Sequence, residues 1–506
     1  MMSNAITAFQ SLLLIPVLTF PILYLIGRIT KRVTTQKGKP YNPSQLIALI
    51  VVGSLFFPAM LINRYVQKVS DVYFEIGEIT MQMNAASTLL VLVVLTVTFL
   101  VILFSGRYMQ NETGEEKYYA FLVYMVGMIV GLSTTTDLFN LWVWFEAFAI
   151  TPYVLVAFYH DREEVLEAGV KYLFQSAVGT LFVLFGIIIL YLHTGTLNLL
   201  QLRAATMTPE PEVILSAVFL LIGFGVKSAL VPLHTWLPDA HSQAPSGISA
   251  ILSGIVIETA LLTMTRILSV VNIAFTSLGT ILIVSGLLNM LIGNLMALKQ
   301  NNIKRMLAFS SISHIGYITF GIGVAEISGN PLGMQGALFH VVIHALMKSL
   351  AFMIVGAMMN GFSAIKGDAH SPLVKKDLNG LAQRHRGLAF FFSIALLSLA
   401  GIPPLGGFMS KSLILFAGIQ TGNTWILACV IFAAINSVLS LGYYAPLINR
   451  LYRTQKSSFT ENFLPPNFTM LAVFGALSAA LLVLGFVPGI LGDFSLPAIY
   501  LLSGLQ

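Results

Sequence analysis

A single cysteine, Cys429, stands among 506 residues. One thiol cannot build a disulfide framework, and it excludes iron–sulfur and zinc sites made from cysteine clusters. Charge is also scarce: 9 % of residues are Asp, Glu, Lys or Arg, against about 25 % in a soluble domain. There is no Walker loop, no strand-anchored dinucleotide fingerprint and no stretch polar enough for a large soluble domain. The first apolar run has neither a basic segment before it nor a small-residue cleavage site after it. Residues 5–27 therefore read as a first permanent span and not as a signal peptide.

What is present is apolar surface, with 57 % of residues hydrophobic. Such a chain has too little polar surface to face water. Its solvent is lipid, where spanning segments are helices or closed barrels. The apolar runs are about 20 residues long, which fits helices, and they lack the alternation of barrel strands. The fold class predicted is an all-α integral membrane protein of about fourteen spans. Their ranges are 5–27, 44–62, 83–105, 117–136, 138–159, 170–192, 212–233, 246–268, 274–297, 303–325, 334–360, 387–419, 424–449 and 467–489.

The positive charges orient these spans. Nineteen of the 27 Lys and Arg lie in or beside odd-numbered loops, among them Arg28, Lys37, Lys39, Lys117, Lys299, Lys304, Arg305, Lys366, Arg450 and Lys456. Only Arg64, Lys68, Arg203 and Arg266 lie on the other side. The positive-inside rule puts the odd loops in the cytoplasm and both termini outside. The net charge of +6 is this loop asymmetry, not a nucleic-acid footprint.

Four lysines remain, all within predicted spans: Lys171, Lys227, Lys348 and Lys411. Lys171 is near enough to a helix start to snorkel. Glu146 and Glu258 also fall within spans, as do His314, His340 and His344, and Asp137 sits at a helix junction. A charge at the bilayer centre costs roughly 2.5–3.5 kcal/mol or more, and leucine would fill the same volume. Ion pairs that lock helices together would explain some of these residues. A set this large points instead to ion movement, because burial lets a lysine or carboxylate exchange its proton in response to neighbouring charge. His340, His344 and Lys348 follow an i, i+4, i+8 pattern, so they stack on one helix face and suit a proton relay. A metal site at His340 and His344 lacks an adjacent carboxylate or cysteine in sequence; no metal and no cofactor is expected in this chain.

Two spans carry helix breakers. One runs Gly223-Phe224-Gly225-Val226-Lys227 to Pro232 and Pro238, the other Gly401-Ile402-Pro403-Pro404-Leu405-Gly406-Gly407 to Lys411. Broken backbone at membrane depth is tolerated where it is buried in protein or lines a wet cavity. Breaks in the seventh and twelfth spans, five apart, suggest an inverted five-helix repeat; ordinary proline kinks are the plainer alternative. The domain reading is 1–116 as a three-helix segment, 117–268 and 269–449 as two half-channel repeats, and 450–506 as a loop and last span.

These residues resemble the antiporter-like subunits shared by respiratory complex I (NADH-quinone oxidoreductase), Mrp-type multisubunit cation/proton antiporters and membrane-bound hydrogenases. The likeness runs from about residue 83 to 449. It rests on LFNLWVWFEAFAITPYVLVAFY around Glu146, GVKSALVPLHTWLPDAHSQAPSGISA around Lys227, and NNIKRMLAFSSISHIGY around His314. FHVVIHALMKSLAF around Lys348 and LAGIPPLGGFMSKSLILF around Lys411 complete it. The resemblance implies fourteen helices with the inverted repeat, and a proton path in which Glu146 and Lys227 form a charge-coupled pair. It implies Lys411 as the exit-side carrier, His340, His344 and Lys348 as the central relay, and Lys171 as a basic residue of the sixth helix. Glu258 departs from the pattern: many members have lysine there, and a carboxylate would attract Lys227 instead of repelling it, or favour Na⁺. The expected function is proton translocation, with Na⁺ as second candidate ion, in a redox-driven pump of the NADH-quinone oxidoreductase type; electron transfer belongs to other subunits, and other membrane subunits are the expected partners. The alternative is a subunit of an Mrp-type Na⁺(K⁺)/H⁺ antiporter; a standalone solute carrier is a third class. The expected location is an energy-coupling membrane, the cell membrane of a bacterium or archaeon.

Overall fold

The structure, a computed structural model, describes residues 2–36, 42–69, 71–110, 112–206, 210–271, 275–366, 371–454 and 463–491. Lys37, Lys39 and Lys456 lie outside the described residues, as does the side chain of Lys366. The chain divides into two compact units: residues 1–224 with 262–272, and residues 225–261 with 273–506.

The first unit opens with α1 (Met2–Gln36), α2 (Ser44–Ser54) and α3 (Phe56–Val69), followed by strands β1 (Val72–Ile76) and β2 (Ile79–Met83). The strands pair antiparallel through a two-residue turn. Gly77 takes φ +64° in that turn, a conformation glycine enters without steric penalty. Then come α4 (Ala85–Tyr108), α5 (Glu115–Thr134), α6 (Leu138–Val156), α7 (Glu163–Thr194), α8 (Leu199–Ala205) and α9 (Pro211–Lys227). Helix starts are marked by short polar side chains that take orphan amide hydrogens. Asn84 accepts from the Ser87 amide at 2.9 Å, and Asp137 from the Asn140 amide at 2.7 Å. Asp137 is thus a cap. At the other end of α5, Arg266 donates to the Ser133 and Thr135 carbonyls at 3.0 and 2.8 Å. A cation there satisfies the carbonyls a helix C-terminus leaves over.

The second unit begins within the last turn of α9. It continues through α10 (Trp236–Gln243), α11 (Ser246–Ile251), a π-helical turn at Leu252–Val256 and the start of α12 (Ile257–Leu268), whose residues from 262 on belong to the first unit. Seven helices follow: α13 (Phe275–Lys299), α14 (Ile303–Ser328), α15 (Pro331–Lys366), α16 (Arg386–Ala400), α17 (Gly406–Gln420), α18 (Thr424–Leu451) and α19 (Phe468–Phe486). The apolar windows of α14 and α15 are buried throughout, so these two helices form the centre of the unit. A helix hydrophobic all round belongs there.

Among the described residues, twelve helices are long and apolar enough to cross a membrane. They match twelve of the predicted spans. The other two are the broken ones. The span expected at 212–233 ends as a helix at Lys227, and the one expected at 387–419 is two 15-residue helices, α16 and α17.

A buried row of ionisable side chains

The breaks come first, because they set lysines at depth. After Lys227 the chain leaves helical geometry, and Ala229 takes φ +54°. Freed backbone groups in a membrane must find partners inside the protein. Asn289 of α13 supplies two: its Oδ1 accepts from the Val231 amide at 2.7 Å and its Nδ2 donates to the Ala229 carbonyl at 3.2 Å. The Trp236 indole N–H donates to the Val226 carbonyl at 2.8 Å. Lys227 is fully buried at this break. At the second break, Lys411 of α17 donates to the Leu399 carbonyl of α16 at 3.0 Å and to Ser437 Oγ of α18 at 3.3 Å. Its ammonium also lies 4.9 Å from the centre of the Tyr317 ring, a cation–π contact.

Between the breaks runs a row through the middle of the second unit. Glu258 Oε1 and His344 Nδ1 are 2.5 Å apart, with both side chains essentially sealed from solvent. The His344 and His314 rings face each other with centroids 5.1 Å apart. His314 Nδ1 meets His340 Nε2 at 3.0 Å, and His340 Nδ1 meets Ser410 Oγ at 2.8 Å. The next residue is Lys411. Beside the row, Lys348 donates to the Leu307 carbonyl at 2.8 Å and to Ser310 Oγ.

Local sequence explains why these groups meet. Gly254, in the π turn, is pressed against α15: a Cβ there would lie 2.9 Å from Ala345 Cα. Only glycine lets the backbones approach so closely, and this brings the next turn, with Glu258, onto His344. The π turn inserts one residue into the helical register, as such turns often do at functional sites.

Hydrogen counting gives the row a direction. Ser410 Oγ has one hydrogen, and its hydroxyl donates to the Gly406 carbonyl at 3.1 Å. It then accepts from His340 Nδ1–H, so His340 Nε2 accepts from His314 Nδ1–H. A proton arriving at Nε2 of His340 and leaving from Nδ1 crosses the ring without any side chain leaving its place. His344 and Glu258 are joined through one proton, and His344 Nε2 and Glu258 Oε2 are buried with no partner among the described residues.

Several expectations are redrawn. Glu258 was set against Lys227 in sequence; its partner in the structure is His344. His340, His344 and Lys348 do share one face of α15 and are all fully buried, but the hydrogen bond from His340 goes across to His314 on α14. Lys171 is exposed on α7 and pairs with Glu167 at 2.6 Å. Glu146, half-buried on α6, lies in the first unit. Lys304, counted among the loop charges, is buried and donates to the Ala244 carbonyl. Ser410, Ser310, Ser437 and Asn289 were not singled out from sequence; hydroxyl and amide groups carry no charge to flag them. A carboxylate does stand beside His344, against the sequence argument on metals, yet both nitrogens of His340 are engaged by His314 and Ser410. Among the described residues, His193, Glu210 and Glu212 have ligand atoms close enough to hold a metal ion. They are surface groups of the first unit and belong to no buried row.

Relatives carry the same architecture. Residues 135–437 match the family described as NADH:quinone oxidoreductase/Mrp antiporter, TM, and residues 74–119 match NADH-ubiquinone oxidoreductase (complex I), chain 5 N-terminus. NADH-quinone oxidoreductase subunit N of Desulforudis audaxviator is 32 % identical over 409 residues, covering 78 % of each chain. A chain of the membrane-bound sulfane sulfur reductase, an archaeal respiratory membrane complex, superposes with a TM-score of 0.85 at 26 % identity, over 99 % of this chain and 98 % of that one. A chain of the Mrp complex from a Dietzia species shares the fold at a TM-score of 0.85 and 22 % identity, with the same coverage. These solved chains are subunits of multisubunit membrane complexes. With the core family matched over more than half its length, this chain belongs to the NADH:quinone oxidoreductase/Mrp antiporter family, as an antiporter-like membrane subunit.

Proposed function

We propose that this subunit translocates protons through the buried row Glu258–His344, His314–His340–Ser410 and Lys411, with Lys348 modulating its charge, inside a redox-driven pump of the NADH-quinone oxidoreductase type. The observation that carries the reading is His340, which holds a hydrogen-bonding partner on each ring nitrogen at full burial. The two bonds satisfy the buried ring and also let a proton enter at one nitrogen and leave from the other, which supports a relay. Glu146 and Lys227 each serve as proton carriers, and Lys411 as the exit-side carrier. Residues 117–268 and 269–449 then act as two related half-channels. The redox groups sit on partner subunits, and the odd-numbered loops face the cytoplasm.

The test uses membrane vesicles carrying the assembled complex. Lys411→Met should cut proton pumping at least about tenfold, equal to about 1.4 kcal/mol on the barrier, while assembly persists. Pumping at the unmodified rate in the assembled variant would refute the role.

The family description that matches residues 135–437 also covers Mrp antiporters, which supports a second reading: an ion-gradient-driven Na⁺(K⁺)/H⁺ antiporter subunit. Gentle purification separates the two. Co-purifying flavin and iron–sulfur subunits support the pump, and a set of small membrane subunits without redox groups supports the antiporter.

A further inference from the structure

Among the buried ionisable side chains outside the row just described are His241 and Lys304. His241 of α10 is fully buried, and neither of its ring nitrogens has a hydrogen-bond partner among the described residues. Its ring stacks on Phe352 of α15, with centroids 4.8 Å apart and planes 6° from parallel. An imidazole satisfied on neither nitrogen is an expensive way to fill a core; a phenyl ring would stack as well. Lys304, in the first turn of α14, is also buried, and its ammonium bonds the Ala244 carbonyl, three residues beyond His241.

Placed along α14, these groups form a ladder. At its foot, Arg305 of α14 and Asp239 of α10 make an ion pair at 3.0 Å that reaches solvent. At the same level, but buried, are His241 and Lys304. One turn further along α14, the Leu307 carbonyl and the Ser310 hydroxyl hold Lys348. One more turn brings His314 and the row itself. An α-helix rises 1.5 Å per residue, so the ten residues from Lys304 to His314 cover about 15 Å, half the hydrocarbon thickness. The foot of the ladder adjoins the short α13–α14 loop, an odd-numbered loop with Lys299 beside it.

We propose that His241 and Lys304 form a proton uptake branch from the cytoplasmic face, open to water at the Asp239–Arg305 pair and delivering to Lys348 and the histidine row. This rests on the proposed function and on its orientation. Lys304 sets the occupancy of His241 by charge, and His241 passes the proton inward.

The test compares His241→Gln, Lys304→Gln and Lys411→Met in vesicles carrying the assembled complex. His241→Gln keeps the size and polarity but cannot carry a proton; it should slow pumping at least about tenfold and raise the solvent deuterium isotope effect on the rate, which loss of packing would not do. Lys304→Gln should lower the rate in the same direction. If Lys411→Met stops pumping while both Gln variants pump normally, the uptake branch is wrong and the row stands. If Lys411→Met also pumps normally, the row itself fails. Exchange of the His241 ring C2 hydrogen for deuterium, read by mass spectrometry on the unmodified complex, needs no variant to assemble. Exchange over days is expected of a water-reached imidazole, and its absence would overturn the branch.

Discussion

At the scale of single residues, the decisive pair is Glu258 and His344. Each would be costly to bury alone; together, through one proton, they present neither a bare carboxylate nor a bare imidazolium to the interior. Glu258→Gln keeps a hydrogen bond to His344 and removes the exchangeable charge. It should reduce transport at least about tenfold with assembly intact, as measured by pH-sensitive dye quenching in vesicles. Unaltered quenching would make Glu258 a structural residue. Glu258→Lys puts a second ammonium near Lys348 and should change rate or ion preference, measured as Na⁺-dependent against proton-dependent flux. The ionisable members of the row were legible in the sequence because charge among apolar runs is costly and stands out. The partner of Glu258 was not, since 86 residues separate it from His344 and no local pattern reports a contact of that range.

At the scale of elements, the two breaks were visible as proline and glycine clusters, but their cost and repair were not. Ala229 holds φ +54°, a left-handed conformation that costs an L residue roughly 1–2 kcal/mol. Ala229→Gly should therefore stabilise the subunit by about 1 kcal/mol, seen as a higher Tm of the purified complex; no change or a lower Tm would show that the position carries no strain. The second break is closed by close contact instead. A Cβ on Gly407 would lie 1.9 Å from the Ser398 carbonyl oxygen, so α17 cannot start where it does with any larger residue. Gly407→Ala should destabilise by about 1–3 kcal/mol and displace Lys411, lowering both Tm and transport. A variant with the original Tm and rate would disprove the constraint. Asn289, which mends the first break from α13, illustrates why repair is hidden in sequence: an asparagine in an apolar helix looks the same whether it mends a break or merely faces one.

At the scale of the whole molecule, the apolar composition predicted a membrane protein, and the helices agree with it. On α7 the side chains of Val170, Phe174, Val178, Leu181, Phe185 and Leu192 are all exposed, a surface suited to lipid or to neighbouring membrane subunits. Sidedness follows from loop charge alone and is open to direct test. In a Cys429→Ser background, Asn301→Cys should react with an impermeant maleimide from the cytoplasmic side, and Glu78→Cys only from the other. The reverse labelling pattern would invert the orientation and with it the direction of the uptake branch. Twelve of the predicted spans were legible because length and hydropathy suffice for a continuous helix. The remaining two were legible only as interruptions, since the chain spends their middle residues on turns.

The doubly bonded ring of His340 has one further consequence. Once a proton has passed, its two nitrogens have exchanged roles, and the hydrogen bonds to His314 and Ser410 are left facing backwards. A second cannot follow until that polarity is restored. This stretch therefore behaves as a turnstile, admitting one charge and then locking, so that the reset rather than the hop sets the pace.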